Sequence, residues 1–263
     1  MVKQPLFQLR DVSYAYPGKQ IALSHINLNI HQGEKLAVIG ANGTGKSTLL
    51  SLLDGLIFPY EGSCAFLGSS LTEESLNKNP FEFRKKVGLV FQNADIQLFC
   101  STVQEDIAFG PLNLGVDKKV VQERIRLLAK ILDIEHLLHR VPFQLSIGEK
   151  RKVSIASVLA IEPDVLLLDE PTAGLDPHTV RHIIDLIHKA NEQGKTIITA
   201  THDMQIVNEI ADKVIVFGRN NSIIRNGPVE EILHDREFLE NNNLVHIHKH
   251  ISKGKPHIHP HEN

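Results

Sequence analysis

Residues 40–48 of this chain read GANGTGKST, a run of glycines and hydroxyl residues around one lysine. It fits the pattern G-x-x-x-x-G-K-[S/T] and falls between a predicted strand, Lys35–Ile39, and a predicted helix, Lys46–Gly55. Glycines let successive backbone N–H groups converge on a polyphosphate, and the helix amino terminus adds its dipole. Lys46 is expected to reach the β/γ oxygens, and the Ser47 hydroxyl to bind Mg²⁺. The predicted nucleotide-binding residues are Gly40, Ala41, Asn42, Gly43, Thr44, Gly45, Lys46, Ser47 and Thr48.

A second element, VLLLDEP at 165–171, places two carboxylates after four apolar residues. The apolar run predicts a buried strand, and Asp169 at its end can hold Mg²⁺ through water. Glu170 is placed to orient or deprotonate an attacking water. Alone, the pair is equally well explained as a strand-end turn before Pro171. The phosphate motif upstream favours the catalytic interpretation.

The rest of the chain has the composition of an ordinary globular protein, with 263 residues of which 42% are hydrophobic. Short strand patterns alternate with helical ones, which predicts an α/β fold with a substantially parallel sheet. Phe7–Tyr14 and Ile21–Ile30 alternate in the manner of a half-exposed antiparallel sheet. Thr196–Ala200 is predicted as a further buried strand, and Asp176–Gln193 as a helix that Pro177 opens.

Three segments are predicted from these patterns. Residues 1–92 and 161–240 form an α/β core with an antiparallel β subdomain. Residues 93–160 are mostly helical in pattern and form an inserted subdomain, in which Lys118–Leu132 is amphipathic. Residues 241–263 are polar and punctuated by proline, which predicts a disordered tail.

Further motifs make the sequence resemble the ATP-binding cassette (ABC) ATPases over roughly residues 5–235. LSIGE at 145–149 is similar to the family signature LSGGQ, and Gln92 in VFQN matches the Q-loop. AGLD at 173–176 resembles the D-loop, and His202 in THD the switch histidine. Tyr16, before Pro17, matches the aromatic residue that stacks on adenine.

The resemblance implies a P-loop NTPase cassette with a RecA-like core, which binds ATP and Mg²⁺ and hydrolyses ATP. Glu170, His202 and Gln92 would be catalytic, and Ser47, Gln92 and Asp169 would hold Mg²⁺. Two cassettes would pack head to tail, so that Ser146, Gly148 and Asp176 contact nucleotide bound to the partner. LSIGE is expected to precede a helix over Lys150–Ala160 and to present its amino terminus to the phosphates. Three positions depart from the family pattern: Ile147, Glu149 and Lys152.

The stretch NADIQLFCSTVQEDIAFGPLNLG at 93–115 resembles the ATPase subunits of energy-coupling factor (ECF) transporters, in particular the cobalt and nickel branch. That resemblance implies a homodimer or a paralogous ATPase partner, a transmembrane coupling subunit and a substrate-capturing membrane subunit. A vitamin importer with the same module is an alternative. A soluble ABC ATPase acting on nucleic acid or ribosomes is another, although 28 basic and 31 acidic residues argue against a nucleic-acid partner.

Six of the 15 histidines fall in the last 18 residues, within HIHKH at 246–250 and HIHPH at 257–261. Neutral imidazole suits Ni²⁺, Co²⁺, Zn²⁺ and Cu²⁺. The candidate transition-metal ligands are therefore His246, His248, His250, His257, His259 and His261. A solvated tail without a specific role and a metal-storage protein are the alternatives. Two cysteines without metal spacing, and no long apolar run, predict a cytoplasmic protein. The resemblance to ECF subunits implies that it lies peripherally on the inner side of the cell membrane.

Overall fold

The computed structural model describes residues 4–18, 20–244, 247–252 and 255–260. The strands, in chain order, are β1 Phe7–Ala15, β2 Ile21–Ile30, β3 Lys35–Gly40, β4 Glu61–Phe66, β5 Ser69–Ser70, β6 Val87–Val90, β7 Val165–Asp169, β8 Thr196–Ala200, β9 Lys213–Phe217, β10 Ile223–Pro228, β11 Ile247–Ser252 and β12 Lys255–Pro260. The helices are α1 Lys46–Leu53, α2 Glu73–Lys78, α3 Pro80–Arg84, α4 Val103–Asn113, α5 Lys118–Ile131, α6 Ile147–Leu159, α7 Pro177–Glu192, α8 Met204–Ile210, α9 Val229–Leu233 and α10 Arg236–Asn241.

A six-stranded sheet has the order β10-β9-β3-β8-β7-β6. All its neighbouring pairs run parallel except β9 and β10, which are antiparallel. Every residue of β7 and β8 is buried, because helices cover both faces of a parallel sheet. The carboxyl ends of β3, β6, β7 and β8 therefore meet at one edge, which is where ligands bind in such sheets.

A second sheet is antiparallel, with the order β2-β1-β4-β5. It packs over α1, and the leucines of that helix share one hydrophobic core with residues of both sheets. The predicted antiparallel pair of amino-terminal strands is confirmed, as is the α/β class with a largely parallel sheet. This packing fixes the helix that follows the phosphate motif between two layers.

Helices α4, α5 and α6 come between β6 and β7 and form a hydrophobic core of their own. In α5 the apolar stripe predicted from the sequence is buried: Val121, Ile125, Leu128 and Ala129. The expected start of α6 at Lys150 is wrong, because the helix begins at Ile147 with Ser146 as its N-cap. Ser146 and Glu149 form a capping box, so the signature stretch is itself the first turn of the helix.

The carboxyl-terminal segment also differs from expectation. Where a disordered tail was predicted from residue 241, α10 ends at Asn241 and β11 and β12 pair antiparallel. Their sequences, IHKHIS and KPHIHP, alternate with the period of two that a strand requires. His246 and His261 lie outside the described residues. None of the helices in the described ranges is long and apolar enough to cross a membrane.

Candidate functional site

The phosphate motif connects β3 to α1, as the sequence predicts. Gly45, the N-cap of α1, has a φ of 103°, and a Cβ there would lie 2.3 Å from the Ala22 carbonyl oxygen. Only glycine fits so close an approach with that backbone conformation. The loop consequently curves tightly under β2, and its amides precede the amino terminus of α1.

Lys46 is buried, although it carries a charge. Its Nζ donates to the Gly40 carbonyl at 2.8 Å and to the Ala41 carbonyl at 3.1 Å. Burial lowers the pKa of Lys46, while the nearby carboxylates of Glu170 and Asp169 oppose that shift. The ammonium group is thus fixed inside the curve of the loop, where the phosphate oxygens of a nucleotide are expected.

Asp169 ends β7 and is buried beside the loop. The Ser47 hydroxyl bonds to its carboxylate, yet burial is the larger influence and raises the pKa of Asp169. Its Oδ1 is buried and has no hydrogen-bond partner within the part of the chain that the structure describes. Such an orphaned oxygen beside a hydroxyl is the donor set that Mg²⁺ prefers, so these residues fit the expected ion.

Glu170 follows Asp169 and is 4% exposed. His202 Nδ1 lies 2.8 Å from its Oε1, and the Thr201 hydroxyl donates to its Oε2 at 3.2 Å. The backbone of Glu170 has a φ of 47°, in the left-handed region that non-glycine residues seldom adopt. The structure thus joins Glu170 and His202, two of the three residues predicted to be catalytic, through a direct contact. Thr201 was missed, since a buried strand-end threonine has no distinctive sequence signal.

Tyr16 lies near the same loop, just after β1. Its hydroxyl is 3.4 Å from the Thr48 Oγ1, and its ring packs edge-on against Tyr14 with centroids 5.0 Å apart. These contacts place the aromatic ring beside the end of the phosphate motif. Stacking on adenine remains a prediction.

Gln92 follows β6 at the carboxyl edge of the sheet, and its side chain is exposed. The loop around it is held to α6 by contacts that the sequence analysis missed. Arg151, buried in α6, donates to the carbonyls of Phe91, at 2.6 Å, and Gln92. The Gln97 amide donates to the Ser154 carbonyl at 2.9 Å, and its oxygen accepts from the Phe91 amide.

Lys150 adds an ion pair of 2.6 Å with Asp95. These three links tie the Q-loop to the signature helix, so the two are expected to move together. Contacts across about sixty positions of sequence leave no local pattern from which they could be predicted.

The signature turn is open to solvent. Ile147 is 73% exposed, and a Cβ on Gly148 would meet only the Leu175 side chain, at 3.6 Å. The Glu149 carboxylate accepts from the Ser146 amide at 2.7 Å and hydroxyl at 2.8 Å, and these bonds lower its pKa. The carboxylate therefore folds back onto its own helix cap. The hydroxyl of Ser146 must leave this bond before it can donate to a phosphate.

Asp176 is the N-cap of α7. It accepts from the amides of His178 and Thr179 and from the Thr179 hydroxyl, at 2.6 Å, and the Thr179 bonds lower its pKa. These contacts position the D-loop at the start of α7. The hydrogen bonds that the structure gives to Asp176 and to the Ser146 side chain stay within their own helix caps, not with the phosphate loop of the same chain.

This fold and this site define a nucleotide-hydrolysing ATPase of the cassette class. The family model described as ABC transporter matches residues 23–173. The Methanococcus maripaludis energy-coupling factor transporter ATP-binding protein EcfA is 40% identical over 91% of this chain and 85% of its own length.

Solved structures agree. That of cbiO1 from Clostridium perfringens, described as part of the ABC transporter complex cbiONQ, is 37% identical. The match has a TM-score of 0.75 and covers 92% of this chain and 96% of that one. The cassette MJ0796, a dimer in a post-hydrolysis state with ADP and Pi, is 28% identical with a TM-score of 0.78, covering 85% and 98%. The chain belongs to the ABC transporter ATP-binding family and is an ABC-type ATPase, which confirms the predicted fold and the resemblance to ECF ATPase subunits.

Proposed function

We propose that this protein is the ATP-hydrolysing, energy-coupling subunit of an ECF-type importer. The observation that carries the hydrolytic role is the Glu170 carboxylate, buried at the carboxyl end of β7 and held by His202 and Thr201. The similarity to energy-coupling factor ATP-binding proteins supports the importer role. A carboxylate in this position can accept a proton from water while its orientation stays fixed.

In the proposed reaction, water attacks the terminal phosphorus of ATP directly, Glu170 takes the proton, and the bond to the bridging oxygen of the β-phosphate breaks, so that ADP leaves. His202 keeps the carboxylate aligned, because its Nδ1 bonds to Oε1. Lys46 would leave the Gly40 and Ala41 carbonyls to bind the β/γ oxygens, where it stabilises the charge of the transferring group. Mg²⁺ held by Ser47, Asp169 and Gln92 would supply further neutralisation of phosphate charge.

The site would be completed by a second cassette, either a copy of this chain or a paralogue. Ser146, Gly148 and Asp176 would then face nucleotide on the partner. The exposure of the signature turn supports this arrangement, as does the dimer formed by the related MJ0796.

The surface that would meet a membrane subunit lies next to the Q-loop. Phe99, Phe109 and Leu112 are 65%, 48% and 42% exposed, and the two phenylalanine rings contact edge to face at 4.8 Å. Exposed aromatic clusters of this kind are typical of interaction sites. Because Arg151 links the Q-loop to α6, movement of the signature helix would be transmitted to a subunit docked here. We place the protein peripherally on the cytoplasmic side of the membrane.

Cobalt or nickel ions are the proposed cargo. The support is the stretch 93–115, which resembles the cobalt and nickel branch, while the vitamin importer remains the alternative. Cargo would be captured by a separate membrane subunit, so this chain alone does not select it.

Purification from the native membrane, followed by reconstitution into vesicles with the subunits that copurify, tests the proposal. We expect Mg²⁺-dependent ATP hydrolysis and ATP-driven uptake of radioactive cobalt or nickel, with both lost in Glu170→Gln. Uptake of a vitamin and not of cobalt or nickel would show that the proposed cargo is wrong. The absence of any membrane partner would overturn the importer assignment.

A further inference from the structure

The hairpin of β11 and β12 places four histidine positions in two directly opposed pairs. The register pairs His248 with His259 and His250 with His257. Opposed residues of an antiparallel ladder lie on the same face, and so do residues two apart on one strand. All four histidine positions therefore share one face of the hairpin.

The other face is different in chemistry. Its register pairs are Ile247 with Pro260, Lys249 with Ile258 and Ile251 with Pro256. It thus combines apolar residues with one lysine and contains none of the histidines. A random distribution of four histidines over the two strands would seldom place all of them on one face.

We propose that this histidine face is a binding site for a divalent transition-metal ion of the Ni²⁺, Co²⁺ or Zn²⁺ type. Opposed positions have Cβ atoms about 4.5–5.5 Å apart, which lets two imidazoles converge on one ion. Metal–nitrogen bonds of about 2.0–2.1 Å are compatible with that separation. The same face also carries the opposed pair Ser252 and Lys255 at the end of the ladder. The four imidazoles select ions that favour nitrogen ligands over Mg²⁺, which takes oxygen.

Metal binding would also stabilise the hairpin of β11 and β12. A two-stranded hairpin of this length is at best marginally stable alone in water. An ion held by residues of both strands joins them, so that the binding free energy contributes to forming the hairpin. The site is separate from the residues that handle ATP and does not depend on what the importer carries.

The test uses full-length protein purified without a histidine tag and titrated calorimetrically with Ni²⁺. The decisive variant exchanges neighbours on β11, His248→Lys with Lys249→His and His250→Ile with Ile251→His, which leaves no histidine opposite another. Composition, charge and the number of histidines stay the same, but two imidazoles move to the opposite face. We expect the affinity to fall on the order of tenfold or more, since ligands brought together by a short connection bind as a set.

A second variant replaces all four histidines by asparagine and should remove this binding, while ATP hydrolysis stays at the parent rate. Circular dichroism should show a gain of β structure on adding Ni²⁺ to the parent and none in the asparagine variant. Equal Ni²⁺ affinity in the parent and the exchanged variant would overturn the site, because a flexible tail would bind regardless of which face carries the imidazoles. Equal binding by the asparagine variant would also overturn it.

Discussion

The phosphate loop and the signature turn are both helix amino termini that the chain is expected to offer to nucleotide, but they are built differently. Lys46, Asp169 and Glu170 are buried. Lys46 begins α1 after the loop that follows β3, and the two carboxylates lie at the carboxyl end of β7 in the same sheet. Ser146 and Ile147 are exposed and lie on a helix between β6 and β7. The first half-site is organised by the fold of one chain, whereas the second presents an uncovered helix end. If the two half-sites must meet around one nucleotide, catalysis depends on the approach of a second cassette.

The largest effect on ATP hydrolysis should come from a substitution in the buried half-site. Glu170→Gln keeps the shape of the side chain but removes its charge and basicity, so we expect ATP hydrolysis to fall by about 10²–10⁴-fold. Nucleotide binding should remain, and ATP should accumulate in a closed dimer. Phosphate release and binding of a fluorescent nucleotide measure the two properties.

Glu209→Gln is the matched control, because Glu209 is an exposed carboxylate paired with Arg181 on α7. It should hydrolyse ATP at the parent rate. Lys46→Ala provides the contrast within the buried half, since it should weaken nucleotide binding itself. Rapid hydrolysis by Glu170→Gln with coupling partners present would refute the assigned base.

A substitution in the exposed signature turn should affect the ATP-dependent association of two cassettes and not the binding of ATP to one of them. Ser146→Arg, made in the Glu170→Gln background, should leave ATP binding by the monomer intact but prevent the ATP-dependent dimer. The larger cationic side chain would occupy the space of the partner's phosphate and also lose the helix cap. Light scattering with and without ATP measures the dimer fraction.

Ser146→Thr retains a capping hydroxyl and should still dimerise, which separates the two effects of the arginine. A normal dimer fraction in Ser146→Arg would mean that this signature turn, with its Ile147 and Glu149, does not contact nucleotide on a partner.

The smallest effect on ATP hydrolysis should come from a substitution of Arg151, which links the Q-loop to the signature helix. Arg151→Lys replaces the two guanidinium nitrogens that donate to the carbonyls of Phe91 and Gln92 by one ammonium group without the planar fork, so these bonds are weakened. We expect the free energy of unfolding to decrease by about 1–3 kcal/mol, measured by urea denaturation. ATP hydrolysis by the reconstituted complex should fall several-fold, while nucleotide binding is unchanged.

Arg126→Lys, on the exposed side of α5, is the control and should alter neither quantity. If Arg151→Lys changed stability alone, with full hydrolysis in the complex, the residue would stabilise the fold without coupling the two half-sites.

Local patterns predicted the elements that carry the buried half. The apolar run of β7, the strand β8 and the stripe of α5 follow from periodicity, and Pro177 does open α7. The start of α6 was misplaced, although Ser146 and Glu149 have the spacing of a capping box and were the available signal. The hairpin was missed because polarity outweighed the period-two alternation of its histidines.

The contacts of Arg151 and Gln97 could not have been predicted in this way. They join residues about sixty positions apart, and such pairs depend on how α6 packs against the Q-loop. Likewise, Thr201 supports Glu170 only because β7 and β8 are neighbours in the sheet. Sequence patterns therefore predicted most residues of the candidate site. The residues that position them were identified only from contacts in the structure.

The left-handed backbone of Glu170 has a consequence for how this protein can be altered. A non-glycine residue in that conformation costs about 1–3 kcal/mol, and glycine would relieve most of it. A programme of thermostabilisation that ranks positions by backbone compatibility would select residue 170 early. The more stable protein so obtained would lack the carboxylate, and the gain in melting temperature would accompany loss of turnover. Residue 170 should therefore be fixed in any library designed for robustness.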